Sequence, residues 1–209
     1  MKRSFFAGAI PRCAAPMLTT ALLTTALVAC TVAPPQPTAL AEAAFNGEAA
    51  VAKVVAAGGL ESRELDVQPI RDPQVEDLRQ QATQLEKARK YPEAAAALDH
   101  ALQLNANDPA LLQERAEAAL LLHRLDDAER FAQQAFDSSS KVGPLCRRNW
   151  TTIAEARSAK LSGVNAAMKL AERQDHYDAL IPRRTQLTAS ARQAQAQIAT
   201  CTVAAPARY

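Results

Sequence analysis

The chain has 209 residues, a formal net charge of +2, 4% aromatic residues and 6 glycines. That length suits a single domain behind a leader, and a near-neutral charge leaves no electrostatic basis for nucleic-acid binding, which wants clustered Lys and Arg. Abundant alanine with few aromatics and glycines favours helix over strand, and small side chains bury little apolar area per residue, so the expected core is modest.

Lys2, Arg3 and Arg12 precede an uncharged run from Ala14 to Ala29 (AAPMLTTALLTTALVA) that ends in small residues before Cys30. A basic start, an apolar middle and small residues before the cut are the layout of a secretory signal peptide. At about 16 residues the run is shorter than the roughly 20 that span a bilayer, and Thr19, Thr20, Thr24 and Thr25 dilute it. With Leu27 three positions ahead of Cys30, residues 1–29 resemble a bacterial lipoprotein signal. The resemblance implies removal of 1–29 and lipidation of Cys30 with palmitate-type chains. Thr31, where aspartate would stand for inner-membrane retention in the proteobacterial pattern, implies an outer-membrane anchor with the domain facing the periplasm. Loss of the three basic residues takes the formal charge from +2 to −1.

Residues 30–74 read as a lipidated cysteine, a spacer, a possible helix and a linker. The proline-rich stretch 31–38 (TVAPPQPT) favours polyproline II and spans about 25 Å. Residues 39–57 form a possible helix weakened by Asn46-Gly47 and stopped by Gly58-Gly59; 60–74, with Pro69 and Pro73, is a linker.

From Val75 a helical period appears. Leu78, Ala82 and Leu85 mark one face, and Tyr91-Pro92-Glu93-Ala94 opens a second helix with proline in its first turn. Pro109 starts a third through Leu122, His123-Arg124 turns, and Leu125-Asp126-Asp127-Ala128 opens a fourth, closed by Ser138–Ser140. The pairs align at a spacing of 34 residues and resemble tetratricopeptide repeats, in which each unit is a helix–turn–helix. Repeat 75–108 places the family's signature positions on Leu78, Ala82, Leu85, Tyr91, Ala94, Leu98 and Ala101. Repeat 109–142 places them on Leu112, Ala116, Ala119, Leu125, Ala128, Ala132 and Ala135. Gln81 and Arg115 stand where the family has an apolar residue. A degenerate third unit, 147–180, puts Trp150, Ile153, Ala154, Ala166 and Leu170 in register if 143–146 is an insertion; Arg157, Gly163 and Arg173 depart from it. The polar segment 183–199 suits a capping helix, followed by a tail, 200–209. The expected fold is all-α: a short right-handed α-solenoid of two to three such repeats with a C-terminal cap.

Catalysis finds no constellation in this sequence. His100, His123 and His176 lack metal-ligand spacing, and no phosphate loop or nucleophile elbow is present. Asp126-Asp127 fits the dipole at a helix start better than acid–base work, since adjacent helical residues point apart. No enzyme activity, metal or cofactor is expected. Trp150 fits a packing role better than a binding anchor. The pairs Arg147-Arg148 and Arg183-Arg184 read as solvated helix starts, and the first calls for an acidic partner, because cations disfavour that end of the dipole. Cys146 and Cys201 form an even pair in an oxidising compartment, which favours a disulfide. The assumed repeat layout opposes it, leaving them about 25 Å apart along a 17-residue helix.

The resemblance implies a concave surface lined by first helices, where the family grips peptides or partner helices. Carried over, its candidate partner-binding positions are Arg79, Thr83, Glu86 and Lys87; Gln113, Glu117, Leu120 and Leu121; and Arg148, Thr151 and Glu155. The function expected is a membrane-anchored, periplasmic protein–protein interaction adaptor or scaffold, with a protein partner in the envelope and no nucleic acid. The alternatives are a self-associating structural lipoprotein, a homo-oligomer without a client, and a pilotin-like pilus or secretion assembly factor.

Overall fold

Proline stands in the first turn of four helices, at Pro73, Pro92, Pro109 and Pro144, where a missing N–H breaks no hydrogen bond. Two of these starts are also capped by a carboxylate: Asp72 accepts from the Gln74 amide at 2.8 Å, and Asp108 from the Ala110 amide at 2.8 Å. The computed structural model describes residues 45–59 and 70–202. These form seven α-helices: α1 (Gly47–Ala57), α2 (Pro73–Lys87), α3 (Tyr91–Leu104), α4 (Pro109–Leu121), α5 (Leu125–Ser138), α6 (Pro144–Leu170) and α7 (Gln174–Thr200). The protein is all-α among the described residues. The signal segment, Cys30, the spacer, most of the linker and the tail from 203 lie outside them.

Consecutive helices pair as α2–α3, α4–α5 and α6–α7, with α3 against α4 and α5 against α6. Alanine makes this close stacking possible: Ala82, Ala94, Ala101, Ala116, Ala119, Ala128, Ala132 and Ala135, all repeat-signature positions, are buried. One apolar cluster joins α2, α3 and α4 around Leu98 and Leu111. A second joins α4 to α7 around Ile153, Trp150 and the cysteines, with Trp150 edge-on to Phe136 of α5 at 5.0 Å.

The turns of the first two pairs are the same structure 34 residues apart. Lys90 N–H donates to Leu85 O at 2.9 Å and Arg124 N–H to Ala119 O at 2.8 Å; inside these, Arg89 N–H donates to Glu86 O and His123 N–H to Leu120 O. This is the double bond of a Schellman cap, which places one residue in the left-handed region. Here those residues are Arg89 (φ 59) and His123 (φ 58), not glycine. An L-residue there carries a steric cost. Arg89→Gly is therefore expected to stabilise the domain by about 0.5–1 kcal/mol in urea unfolding, after the glycine's extra unfolded-state entropy; its exposed ion pair to Glu48 offsets little.

The two departures from the signature have different explanations. Gln81 lies exposed on α2. Arg115, 34 residues on, is buried, paired with Asp99 at 2.6 Å and stacked over the Phe131 ring at 4.8 Å.

The third unit differs from the expectation. No helix–turn–helix occurs across 147–180: α6 runs unbroken for 27 residues, and α7, also 27 residues, absorbs the expected 183–199 cap. Gly163 lies inside α6 without ending it, a tolerated cost of about 1 kcal/mol. The helices form one long hairpin, and this overturns the geometric objection to the disulfide. Cys146 in the first turn of α6 and Cys201 just after α7 meet at the open end, with Cα atoms 5.6 Å apart and the sulfurs bonded. Gly143 N–H donates to Cys201 O at 2.7 Å beside them. Arg183 and Arg184 accordingly lie within α7, exposed, not at a helix start. The opposite end of the hairpin leaves Leu170, Tyr177 and Ile181 exposed.

Candidate functional site

The residues expected to line a concave surface fall on α2, α4 and α6, as their 34-residue spacing requires. On α2, Arg79 is half-buried and held by Glu76 at 2.8 Å and by Glu114 of α4; Thr83 and Lys87 are exposed, and Glu86 is half-buried. On α4, Gln113, Glu117 and Leu120 are buried and Leu121 is half-buried. On α6, Thr151 is buried while Arg148 and Glu155 are half-buried. The polar members on α4 and α6 bond across the groove floor. Arg148 donates to both oxygens of Glu117 at 2.6 and 2.7 Å, and Gln113 Nε2 donates to Glu117 at 2.7 Å and to Thr152 Oγ1 at 2.8 Å. Glu117 is the acidic partner that Arg148 calls for.

Much of this surface is already covered by a segment of the same chain. Helix α1 lies against α4 and α6, packing Ala50 and Val54 on Ala119, Leu120, Ala128 and Ala156. The dipeptide Asn46-Gly47 does not weaken this helix. Asn46 is its N-cap, accepting from the Ala49 amide at 2.9 Å, and Gly47 is its point of closest approach. A Cβ there would stand 2.5 Å from Leu120 O and 3.0 Å from Leu121 Cα.

The ends of α1 are held by charge. Buried Arg147 donates to Ala57 O at 2.9 Å and to Gly59 O at 2.6 Å, placing a cation at the negative end of the α1 dipole. Lys53, earlier in α1, pairs with Glu155, two turns later in α6, at 3.0 Å, so α1 runs antiparallel to α6. At the other end Glu48 pairs with Arg89 at 3.1 Å and accepts from Tyr91 Oη. Phe45 meets the His123 ring edge-on at 5.4 Å.

Electrostatics concentrate where α2 meets α4. Burial, then the carboxylates of Glu117 and Glu114, push Glu86 up to about 7, with Arg148 opposing. Burial also raises Glu117, against the pull of Arg148. A carboxyl whose folded value lies above its unfolded one holds a proton in the native state that the unfolded state has lost, so stability falls as pH rises between the two. For Glu86 that window runs from about 4.5 to about 7. Glu86→Gln is expected to flatten stability across it and to stabilise the protein at pH 8 by about 1 kcal/mol, a figure discounted for partial exposure. Thermal unfolding at pH 5 and pH 8 checks this, and an unchanged pH slope would contradict it.

His100 and His176 are exposed and His123 sits in the α4–α5 turn. No group of three His, Cys, Asp or Glu close enough to hold a metal occurs among the described residues. No helix among them is long and apolar enough to cross a membrane. Sequence reasoning located the groove helices but missed that α1 fills the groove and that Arg147 holds its end. The one available signal was the unexplained cation pair at a helix start. In comparison with known proteins, the chain matches no family model and no curated protein.

Proposed function

We propose that the protein is a non-catalytic adaptor of the bacterial cell envelope, anchored to the outer membrane by lipid on Cys30, facing the periplasm, and binding a protein partner through a tetratricopeptide-like surface. The observation that carries this reading is the groove of α4 and α6 with a helix seated in it, because holding a helix in a groove is a recurrent mode of protein recognition. The repeat reading is supported by the two Schellman turns 34 residues apart and by the burial of the signature alanines. The envelope reading is supported by the order of basic, apolar and small residues before Cys30 and by a disulfide, which suits an oxidising compartment. Arg79, Glu117, Arg148 and Glu155 are engaged in holding helices together, and binding asks no further chemistry of them. Anchoring confines adaptor and partner to one membrane, so a modest affinity suffices.

Palmitate labelling and crosslinking in a native envelope test the reading together. The native protein is expected to take the label, to fractionate with the outer membrane and to crosslink to a second polypeptide, and Cys30→Ala to lose label and membrane association. A label that survives Cys30→Ala, or crosslinks to nothing but the protein itself, would contradict it.

A further inference from the structure

The α4–α6 groove and its occupant have the properties of a receptor and a replaceable ligand. The receptor is built. Buried Arg147 reaches two carbonyls at the end of the seated helix, contacts that any helix ending there would make whatever its side chains. Glu155 offers an anion to the middle of that helix, while Arg89 and Tyr91 receive its first turn. Sterically, the wall at Leu120 O admits only a residue without a side chain.

The occupant, by contrast, is weakly held. α1 has 11 residues, of which only Gly47, Ala50 and Val54 are buried. Isolated helices of that length are marginal in water. Its ion pairs are substantially exposed, with Lys53 at 64% and Arg89 at 74% side-chain exposure, and such pairs contribute little. Gln113 Oε1 and Thr151 Oγ1, buried on the two groove helices, have no hydrogen-bond partner. The alanines and valines on the inner face of α1 supply none. A helix bringing a donor there gains an interaction that α1 lacks.

We infer that α1 is an intramolecular competitor for this groove, displaced by a helix of a partner protein that carries the same small-residue face. That helix has a residue without a side chain opposite Leu120, small or β-branched residues three and seven positions later, and its last-turn carbonyls over Arg147. The inference rests on the adaptor reading and adds the partner's chemistry. A tethered competitor acts at an effective concentration of order mM, so the displacing helix must fit better or be confined to the same membrane.

The test uses the full mature chain with Cys30→Ala, and as probe a fluorescent synthetic peptide of residues 45–59. The Gly47→Leu variant, its α1 blocked by Leu120, is expected to bind the peptide at least tenfold more tightly than the wild-type groove, which α1 occupies. A peptide carrying leucine at its own position 47 is expected not to bind, and adding Arg147→Ala to the protein is expected to abolish binding. Lys53→Glu, which repels α1 from Glu155 without touching the wall, is expected to give intermediate binding. A Gly47→Leu protein with native helicity and an intact disulfide that ignores the peptide would overturn the inference. So would equal binding by wild type and variant, or a concentration-dependent wild-type dimer formed by exchange of α1. Peptide binding needs no cellular partner. Failure here with envelope crosslinks intact would reject the groove and keep the adaptor, and the reverse result would reject the adaptor alone.

Discussion

Replacing Cys146 and Cys201 together by serine is expected to destabilise the domain by about 4 kcal/mol, the loop-closure value for cysteines separated by 55 residues. For a domain of this size that lowers Tm by roughly 8–16 °C. The effect is large because the bond joins the open end of a hairpin whose far end is half solvent: residues 172–186 of α7 and its approach are exposed. Near the bond, α7 contributes only Ala191, Ala194 and half-buried Ile198 to burial. Loosening the bond therefore frees α7 first, and Trp150 fluorescence reports it, since Trp150 shares the apolar cluster of both cysteines. Equal stability with and without reductant would contradict this account of how the hairpin is held.

Arg148→Met is expected to destabilise by about 3 kcal/mol, because it leaves Glu117 buried without its cation. The pH dependence gives the sign. Burial already raises Glu117, and removing Arg148 raises it further. The folded variant then holds a proton that the unfolded chain releases above the ordinary glutamate value, so its stability declines with rising pH more steeply than wild type. The loss is accordingly greatest at pH 8 and smallest near pH 5. The double variant Glu117→Met/Arg148→Met removes both charges and is expected to recover most of the loss, as replaced buried pairs commonly do. Denaturant unfolding of the three proteins at both pH values checks each step. A loss independent of pH would show that Arg148 acts through packing alone.

The helices from α2 to α5 are legible in the sequence because their ends carry local signals. Proline in the first turn, Asp72 and Asp108 as caps, and the 34-residue alanine pattern fix their bounds to within a residue or two. The α2 start, placed at Val75 by pattern, falls at Pro73, which belongs to the helix and not to the linker. The third pair is illegible for a local reason. Nothing at residues 158–166 dictates a turn, and Gly163 is compatible with either a turn or a buried site on a continuous helix. Once that one break is misplaced, the direction of α7 and the distance between the cysteines follow wrongly. The occupancy of the groove is illegible for a different reason. An alanine and valine face reads as a weak helix until its partner surface is known, and the value of Gly47 lies wholly in Leu120, 73 positions away. The groove-lining positions were legible from the repeat spacing, whereas burial of Gln113, Glu117, Leu120 and Thr151 reflects contacts that spacing does not encode.

The central claim is that a partner is gripped in the α4–α6 groove, and photo-crosslinking from single positions in the native envelope tests it most directly. A photoreactive residue at Glu155, on the groove, is expected to capture a second polypeptide, with a higher yield when Gly47→Leu opens the groove, while the same group at exposed His100 on α3 captures none. Capture from His100 but not from Glu155, or a Glu155 yield that falls when the groove is opened, would contradict the claim.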